Sequence, residues 1–309
     1  MEYINIQGCN KPVSRLIKGT DYFFHDKYEL AAANLDAYFA IGGNTVDTAH
    51  IYCGGQSEEV LGKYFQERGN RDQWVILTKG AHPHAGGSKV NKNGITSDLA
   101  ISFQRLQTDY IDLYALHRDD ISVPVSEIID CLNEYIANGQ IGAIGVSNWT
   151  TDRIAEANQY AEQHGLVGFT FSSPNLSLAK PNEPFWPGCV SIDEQSSKWH
   201  TETQLPVLSW SSQARGFFTG RYSPDVTDNA DLVRVFYNDE NWERLSRAEQ
   251  LAGQKGVTTI QIALAYVLNQ PYPTCALIGA QKKEELLSCD EGATIKLSEQ
   301  EIDWLDLKI

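Results

Sequence analysis

The sequence predicts an α/β protein, a single-domain (β/α)8 TIM barrel, and three observations predict it. Eight short β-branched or apolar runs recur along the chain. Amphipathic helical stretches lie between them. The length, 309 residues, suits eight such units and can bury a large core without disulfides or metals.

The runs come in this order. RLIKGT spans 15–20, NTVDTA 44–49, WVILTKG 74–80 and YIDLYALH 110–117. IGAIGVSN follows at 141–148, GFTFSSP at 168–174, PVLSWSS at 206–212 and CALIGA at 275–280. Most are apolar without clean alternation, as strands buried on both faces are. Among the helices, SEEVLGKYFQERG has Ser57 as its cap and stops at Gly69. PVSEIIDCLNEYIANG opens on a proline suited to a first turn and stops at Gly139. TTDRIAEANQYAEQHG and TTIQIALAYVLNQ follow the same logic. Strands alternating with helices make a parallel sheet with right-handed crossovers. An open doubly wound sheet is the rival, and eight units in 309 residues fit a closed barrel better. The stretches near 81–94, 179–205 and 217–241 read as long loops, and insertions of that kind often carry function.

Composition narrows the partners. A formal net charge of −15 argues against nucleic acid, whose phosphates need a basic face. No apolar run approaches the ~20 residues of a membrane span. MEYINIQGCN lacks the basic and apolar regions of a signal peptide. The six cysteines are scattered without CxxC spacing, which reads as reduced thiols in a cytoplasmic protein. Oligomeric state is not legible.

A barrel of this kind carries its site at the C-terminal strand ends. The first run ends in Gly19 and Thr20. The second ends at Asp47, with Tyr52 on the following loop. The third ends in Lys79, the fourth in His117-Arg118 and the fifth in Ser147-Asn148. The seventh carries Trp210-Ser211 and the eighth Gly279-Ala280. Asp47, Tyr52, Lys79 and His117 have a joint logic. A tyrosine titrates near pH ~10 in water, and a nearby ammonium lowers that value. Lys79 is such an ammonium, Asp47 its partner, and His117 can orient a carbonyl oxygen. The result is a general acid over an electrophilic carbon.

NTVDTAHIYCGGQSEEVLGKYF, ILTKG, TDYIDLYALH and IGAIGVSN resemble the signature blocks of the aldo-keto reductase superfamily, in family order and across nearly the whole chain. The resemblance implies a (β/α)8 barrel that binds NADP(H), with NAD possible, without a Rossmann motif. No GxGxxG lies between a strand and a helix, which agrees. It implies reduction of an aldehyde or ketone to the alcohol, or the reverse, an oxidoreductase of the EC 1.1.1.- class. Its tetrad falls on Asp47, Tyr52, Lys79 and His117, with Tyr52 as acid or base. Its nicotinamide amide contacts fall on Ser147 and Asn148, and its stacking aromatic on Trp210. Ser173 stands where the family usually has glutamine. Gly19 and Thr20 fall on the cofactor side. SSQARGFFTGR resembles the pyrophosphate loop and places Ser211, Gln213 and Arg221 near phosphate. GAQKKEELLSC departs most: it has Gln281, Lys282 and Lys283 after Gly279, where a helix N-terminus suits an anion; the two lysines suit a 2′-phosphate, Glu285 opposes it, and Cys289 replaces the adenine-side asparagine. Arg234 is a candidate to compensate.

Singly, these residues have blander readings. Asp47 suits a cap, Tyr52 a packed ring, Trp210 the core, and Lys282 with Lys283 a solvated helix start. His50 can simply face solvent, and Trp149, Phe185 and Trp186 are as often packing as pocket lining. HPHAGG, with His117 and Asp120, raises a metal-dependent hydrolase, but Pro83 separates the histidines and no metal site is expected. A second reading from another class is a nicotinamide-nucleotide-binding regulatory subunit with little turnover.

Overall fold

The computed structural model describes all residues, 1–309. A short antiparallel hairpin comes first, β1 (Tyr3–Ile4) and β2 (Val13–Ser14). Eight parallel strands then close a barrel: β3 (Leu16–Gly19), β4 (Thr45–Asp47), β5 (Val75–Gly80), β6 (Ile111–Leu116), β7 (Ile141–Ser147), β8 (Ser172–Ser173), β9 (Val207–Ser209) and β10 (Thr274–Ile278). Each pairs with the next, and β10 pairs back onto β3. This is the predicted (β/α)8 TIM barrel.

Alternate strand residues divide between two cores. Ile17, Val75, Leu77, Leu113 and Leu277 belong to the smaller one, inside the barrel. Leu16, Ile76 and Tyr114 belong to the larger one, between strands and helices. Both faces are apolar, which is why the runs show no polar alternation. Ile6 and Val13 from the hairpin region join the inner core. Gly8 fixes the hairpin there. Its φ is +90°, and a Cβ would lie 2.6 Å from the carbonyl of Gly142 near the start of β7. The N-terminal mouth is therefore plugged.

The outer layer comprises α1 (Tyr28–Ala40), α2 (Gln56–Arg68), α3 (Lys92–Leu106), α4 (Val125–Ala137), α5 (Thr151–His164), α6 (Glu194–Thr203), α7 (Ala230–Phe236), α8 (Asp239–Lys255), α9 (Thr259–Leu268), α10 (Lys283–Ala293) and α11 (Glu299–Leu305). No helix is long and apolar enough to cross a membrane. Glycines stop α2 at Gly69 and α5 at Gly165 in left-handed conformations, as read from sequence.

Three local readings are corrected. The stretch 179–205 contains α6, started by a capping box in which Asp193 Oδ1 accepts from Ser196 N at 2.8 Å. The stretch 217–241 contains α7 and the start of α8. Asn229 caps the first, and Asn238 Oδ1 caps the second from Asn241 N at 2.7 Å. These caps stand in polar, irregular sequence and give little periodic signal. Ser57 is not the cap of α2. Gly55 holds that position with φ +98°, and Ser57 Oγ ties Thr20 Oγ1 at 2.7 Å to Thr48 Oγ1 at 2.9 Å.

Candidate active site

The open end of the barrel is built from bent backbone. Cys53 (φ 52°), Ala81 (φ 58°), Asn148 (φ 62°) and Ser211 (φ 49°) all follow barrel strands and all adopt left-handed conformations. Each such residue costs about 1–3 kcal/mol, so the surrounding packing holds it. Cys53 and Gly54 (φ 65°) turn the chain after β4 back on itself. The turn before it, closed by Tyr52 N donating to the Ala49 carbonyl at 3.0 Å, brings Tyr52 to the barrel mouth.

Four side chains meet there. Lys79 Nζ lies 2.6 Å from Asp47 Oδ1, and both residues are only 2 % exposed. The same nitrogen donates to the Thr48 carbonyl at 3.0 Å and to Tyr52 Oη at 3.1 Å. The His117 ring meets the Tyr52 ring edge-on, with centroids 5.7 Å apart. Asp47, Tyr52, Lys79 and His117 thus form one contiguous group, in the arrangement expected from their strand ends.

The protonation states correct one expectation. Burial, with the Asp47 and Asp21 carboxylates, holds the Tyr52 phenol well above the usual tyrosine range. The predicted depression by Lys79 is absent, because burial of the phenol outweighs the charges around it. Burial likewise pushes the Asp47 carboxyl up, and Lys79 offsets part of that push. Burial, then Lys79, Arg118 and His82, hold His117 well below its ordinary value. The site therefore presents a neutral phenol and a neutral imidazole. Lys79 is already aimed at the oxygen on which negative charge develops when the phenol gives up its proton.

Beside this group, β7 and β8 present a polar patch. Ser147 Oγ donates to the Ser173 carbonyl at 2.9 Å, and Asn148 Nδ2 donates to Ser147 Oγ at 2.9 Å. Asn148 Oδ1 accepts from Trp210 Nε1 at 3.2 Å and from Val190 N at 3.1 Å. The buried polar atoms without a hydrogen-bond partner include Ser173 Oγ and His117 Nδ1. Buried polar groups in folded proteins are nearly always paired. With the half-buried Trp210 as an aromatic wall, this set fits a flat ring bearing a carboxamide. Thr20 stands behind: it is fully buried, and its hydroxyl donates to the Asp47 carbonyl at 2.8 Å. Gly19 is its neighbour in β3 and pairs with Asp47.

The far side is more open. Cys289 Sγ lies 3.6 Å from Gln213 Oε1. Arg221 is exposed, with Nε donating to Thr219 Oγ1 at 3.1 Å. Gly279 is exposed between β10 and α10. Glu285 Oε2 accepts from Gln281 N at 2.9 Å and from Lys282 N at 3.3 Å, so it occupies the amides at the start of α10. Lys282 and Lys283 are exposed and have no carboxylate partner. Arg234 does not compensate here. It pairs with Glu183 and with Asp231 and donates to the Phe185 carbonyl at 3.1 Å.

Sequence reasoning gave no role to three groups at this end. Lys18 is 0 % exposed and donates to Tyr22 Oη and the Ala280 carbonyl. Burial pushes its amine down to about 7. Asp98 on α3 accepts from Ala81 N at 2.9 Å and pairs with Lys89, anchoring both ends of the loop after β5. A lone acid on the apolar face of an amphipathic stretch was the available signal. Arg118 is buried beside His117 and donates to the His117 carbonyl at 2.8 Å and to Cys189 Sγ at 3.4 Å. His82 Nδ1 lies 2.7 Å from the Pro83 carbonyl and its ring meets the His117 ring edge-on, with centroids 5.0 Å apart, whereas His84 Nδ1 accepts from Gly86 N at 2.7 Å. No group of three His, Cys, Asp or Glu residues is placed to hold a metal ion.

The sequence pattern of the Aldo/keto reductase family matches residues 15–309. Norsolorinic acid reductase B of Aspergillus parasiticus is 31% identical over 293 residues, covering 90% of this chain and 74% of that protein. Aldo-keto reductase YhdN of Bacillus subtilis is 30% identical over 97% of this chain and 92% of its own. A probable voltage-gated potassium channel subunit beta of rice is 26% identical over 93% of this chain and 89% of its own.

Proposed function

Because the chain belongs to the aldo/keto reductase family, we propose that it is an NADP(H)-dependent oxidoreductase that reduces an aldehyde or ketone to the alcohol, or runs the reverse reaction. The observation that carries the reading is the single Lys79 ammonium shared by Asp47, Thr48 and Tyr52, with neutral His117 beside them.

When bound, the reduced nicotinamide supplies the hydride. Tyr52 gives its phenolic proton to the carbonyl oxygen. Lys79 donates a hydrogen bond to the forming phenolate, and Asp47 holds that ammonium in place. His117, neutral, hydrogen-bonds the carbonyl oxygen and orients it. In the oxidative direction Tyr52 is the base. Ser147, Asn148 and Ser173 would hold the carboxamide of the nicotinamide, and Trp210 would wall its ring. Ser211, Gln213 and Arg221 line the phosphate side, with Gly279 and Gln281 beside the adenosine. Lys282 and Lys283, lacking carboxylate partners, favour the extra phosphate of NADP, whereas Glu285 at the α10 amides works against it. NAD is the alternative. Gly19 and Thr20 support Asp47 from behind. The proposal includes a cytoplasmic setting, which the six unpaired cysteines suit.

Pure protein mixed with NADPH or NADH and a panel of aldehydes and ketones tests this, followed by cofactor absorbance. Turnover that is faster with NADPH is expected. A regulatory subunit, a reading favoured only by the rice relative's name, instead predicts tight nucleotide binding, negligible turnover and a co-purifying partner.

A further inference from the structure

Arg118 is a cation without an anion. It is 8 % exposed, and no carboxylate of the chain lies within 4.0 Å of it. Its only protein acceptors are the His117 carbonyl at 2.8 Å and the Cys189 sulfur at 3.4 Å, and thiol sulfur is a weak one. A guanidinium has more N–H groups than these use. Arginine does not escape by losing its proton, so a buried one needs a partner. Most other arginines of low exposure here have one. Arg153 meets Glu156 at 2.9 Å, and Arg244 meets Glu240 at 3.2 Å.

The location says where the partner comes from. Arg118 directly follows His117 at the end of β6. The loop carrying Trp186 and Cys189 covers its other side, and a Cβ on Gly188 would lie 3.5 Å from Arg118 Cδ. The same loop puts Trp186, 44 % exposed, 6.0 Å from Trp210. The charge reaches the proposed acid as well: it favours the Tyr52 phenolate and disfavours the His117 imidazolium. The unpaired cation therefore borders the place where a carbonyl must sit.

We propose that the substrate is an oxo acid, an aldehyde or ketone whose own carboxylate pairs with the Arg118 guanidinium. This rests on the carbonyl-reductase reading and names its substrate class. The carbonyl carbon gains a hydride, with its two electrons, from the reduced nicotinamide nucleotide, which is oxidised. The carbonyl oxygen gains the Tyr52 proton, and the product is a hydroxy acid. The carboxylate neither forms nor breaks a bond. A planar guanidinium matches it through parallel N–H···O bonds.

The test compares the three isomeric carboxybenzaldehydes, and succinic semialdehyde, each with its methyl ester, at neutral pH with NADPH. At least one acid is expected to exceed its ester in kcat/KM by about tenfold or more, mainly through KM. In Arg118→Gln that ratio falls toward one. Arg118→Lys, which keeps the charge, retains part of it and guards against a folding defect. Esters turned over as well as every acid would overturn the proposal while leaving the reductase reading intact. So would equal losses on acid and ester in both variants. If nothing turns over, calorimetry with the carboxybenzyl alcohols and NADP+ decides. Acid-selective binding that Arg118→Gln abolishes keeps the anion site and rejects the reductase reading. Binding that does not distinguish acid from ester rejects the anion site too.

Discussion

At the scale of the residue, the proposed chemistry turns on protons already in place. Tyr52 is held above its ordinary range and His117 below, so neither changes state between about pH 6 and 9. The expected reductive kcat is flat across that window and shows no limb near the ordinary histidine value. The oxidative rate, which needs the phenolate, climbs with pH. A pH–rate profile in both directions checks this, and a reductive limb near neutrality contradicts it. Lys18 gives a second signature. Its folded amine titrates near 7, while an unfolded lysine titrates near ~10.4. Between those values the unfolded chain binds more protons, so this contribution to stability grows as pH rises and is lost toward pH 7. Lys18→Met is therefore expected to raise Tm most at about pH 6 and least at about pH 9.5, read by thermal melts. The residue types at the strand ends were legible because chemistry restricts them. The direction of the Tyr52 shift was not, because it is set first by burial of the phenol and then by the Asp47 and Asp21 carboxylates, and burial is a property of the fold.

At the scale of the element, the mouth depends on turns that cannot be relaxed. Gly55 starts α2 with φ +98°, and a Cβ there would stand 2.3 Å from the Arg105 guanidinium. Gly55→Ala is expected to cost about 1–3 kcal/mol in a denaturant titration. The loop after β5 hangs on Asp98, which holds Ala81 N and Lys89. Asp98→Ala removes both anchors, and we expect a loosened loop with KM raised more than kcat lowered; an unchanged KM contradicts this. Elements with strong periodicity and glycine stops, such as α5 ending at Gly165, were legible in sequence. The helix α6 was not, because Asp193 and Ser196 sit in a polar stretch after proline-rich sequence. The strand β8 is only Ser172–Ser173, because Pro174 has no N–H to extend the ladder.

At the scale of the whole molecule, the closed barrel explains how residues 32 positions apart, Asp47 and Lys79, come within 2.6 Å. The order of strand ends was readable in sequence, and closure turns that order into a ring of neighbours. The hairpin plug was not readable, since its two-residue strands carry no period. It is nonetheless part of the core: Ile6→Ala is expected to cost about 2–5 kcal/mol by denaturant unfolding. The central claim is that Asp47, Tyr52, Lys79 and His117, drawn from the ends of three strands, work as one acid–base unit. The most direct measurement is kcat for Tyr52→Phe, Lys79→Met and the double variant, with cofactor binding verified in each. The account predicts that Tyr52→Phe loses about 10²–10⁴-fold and that the double variant is little worse than Tyr52→Phe alone. A Tyr52→Phe enzyme that keeps its full rate, or losses that simply multiply in the double variant, would contradict it.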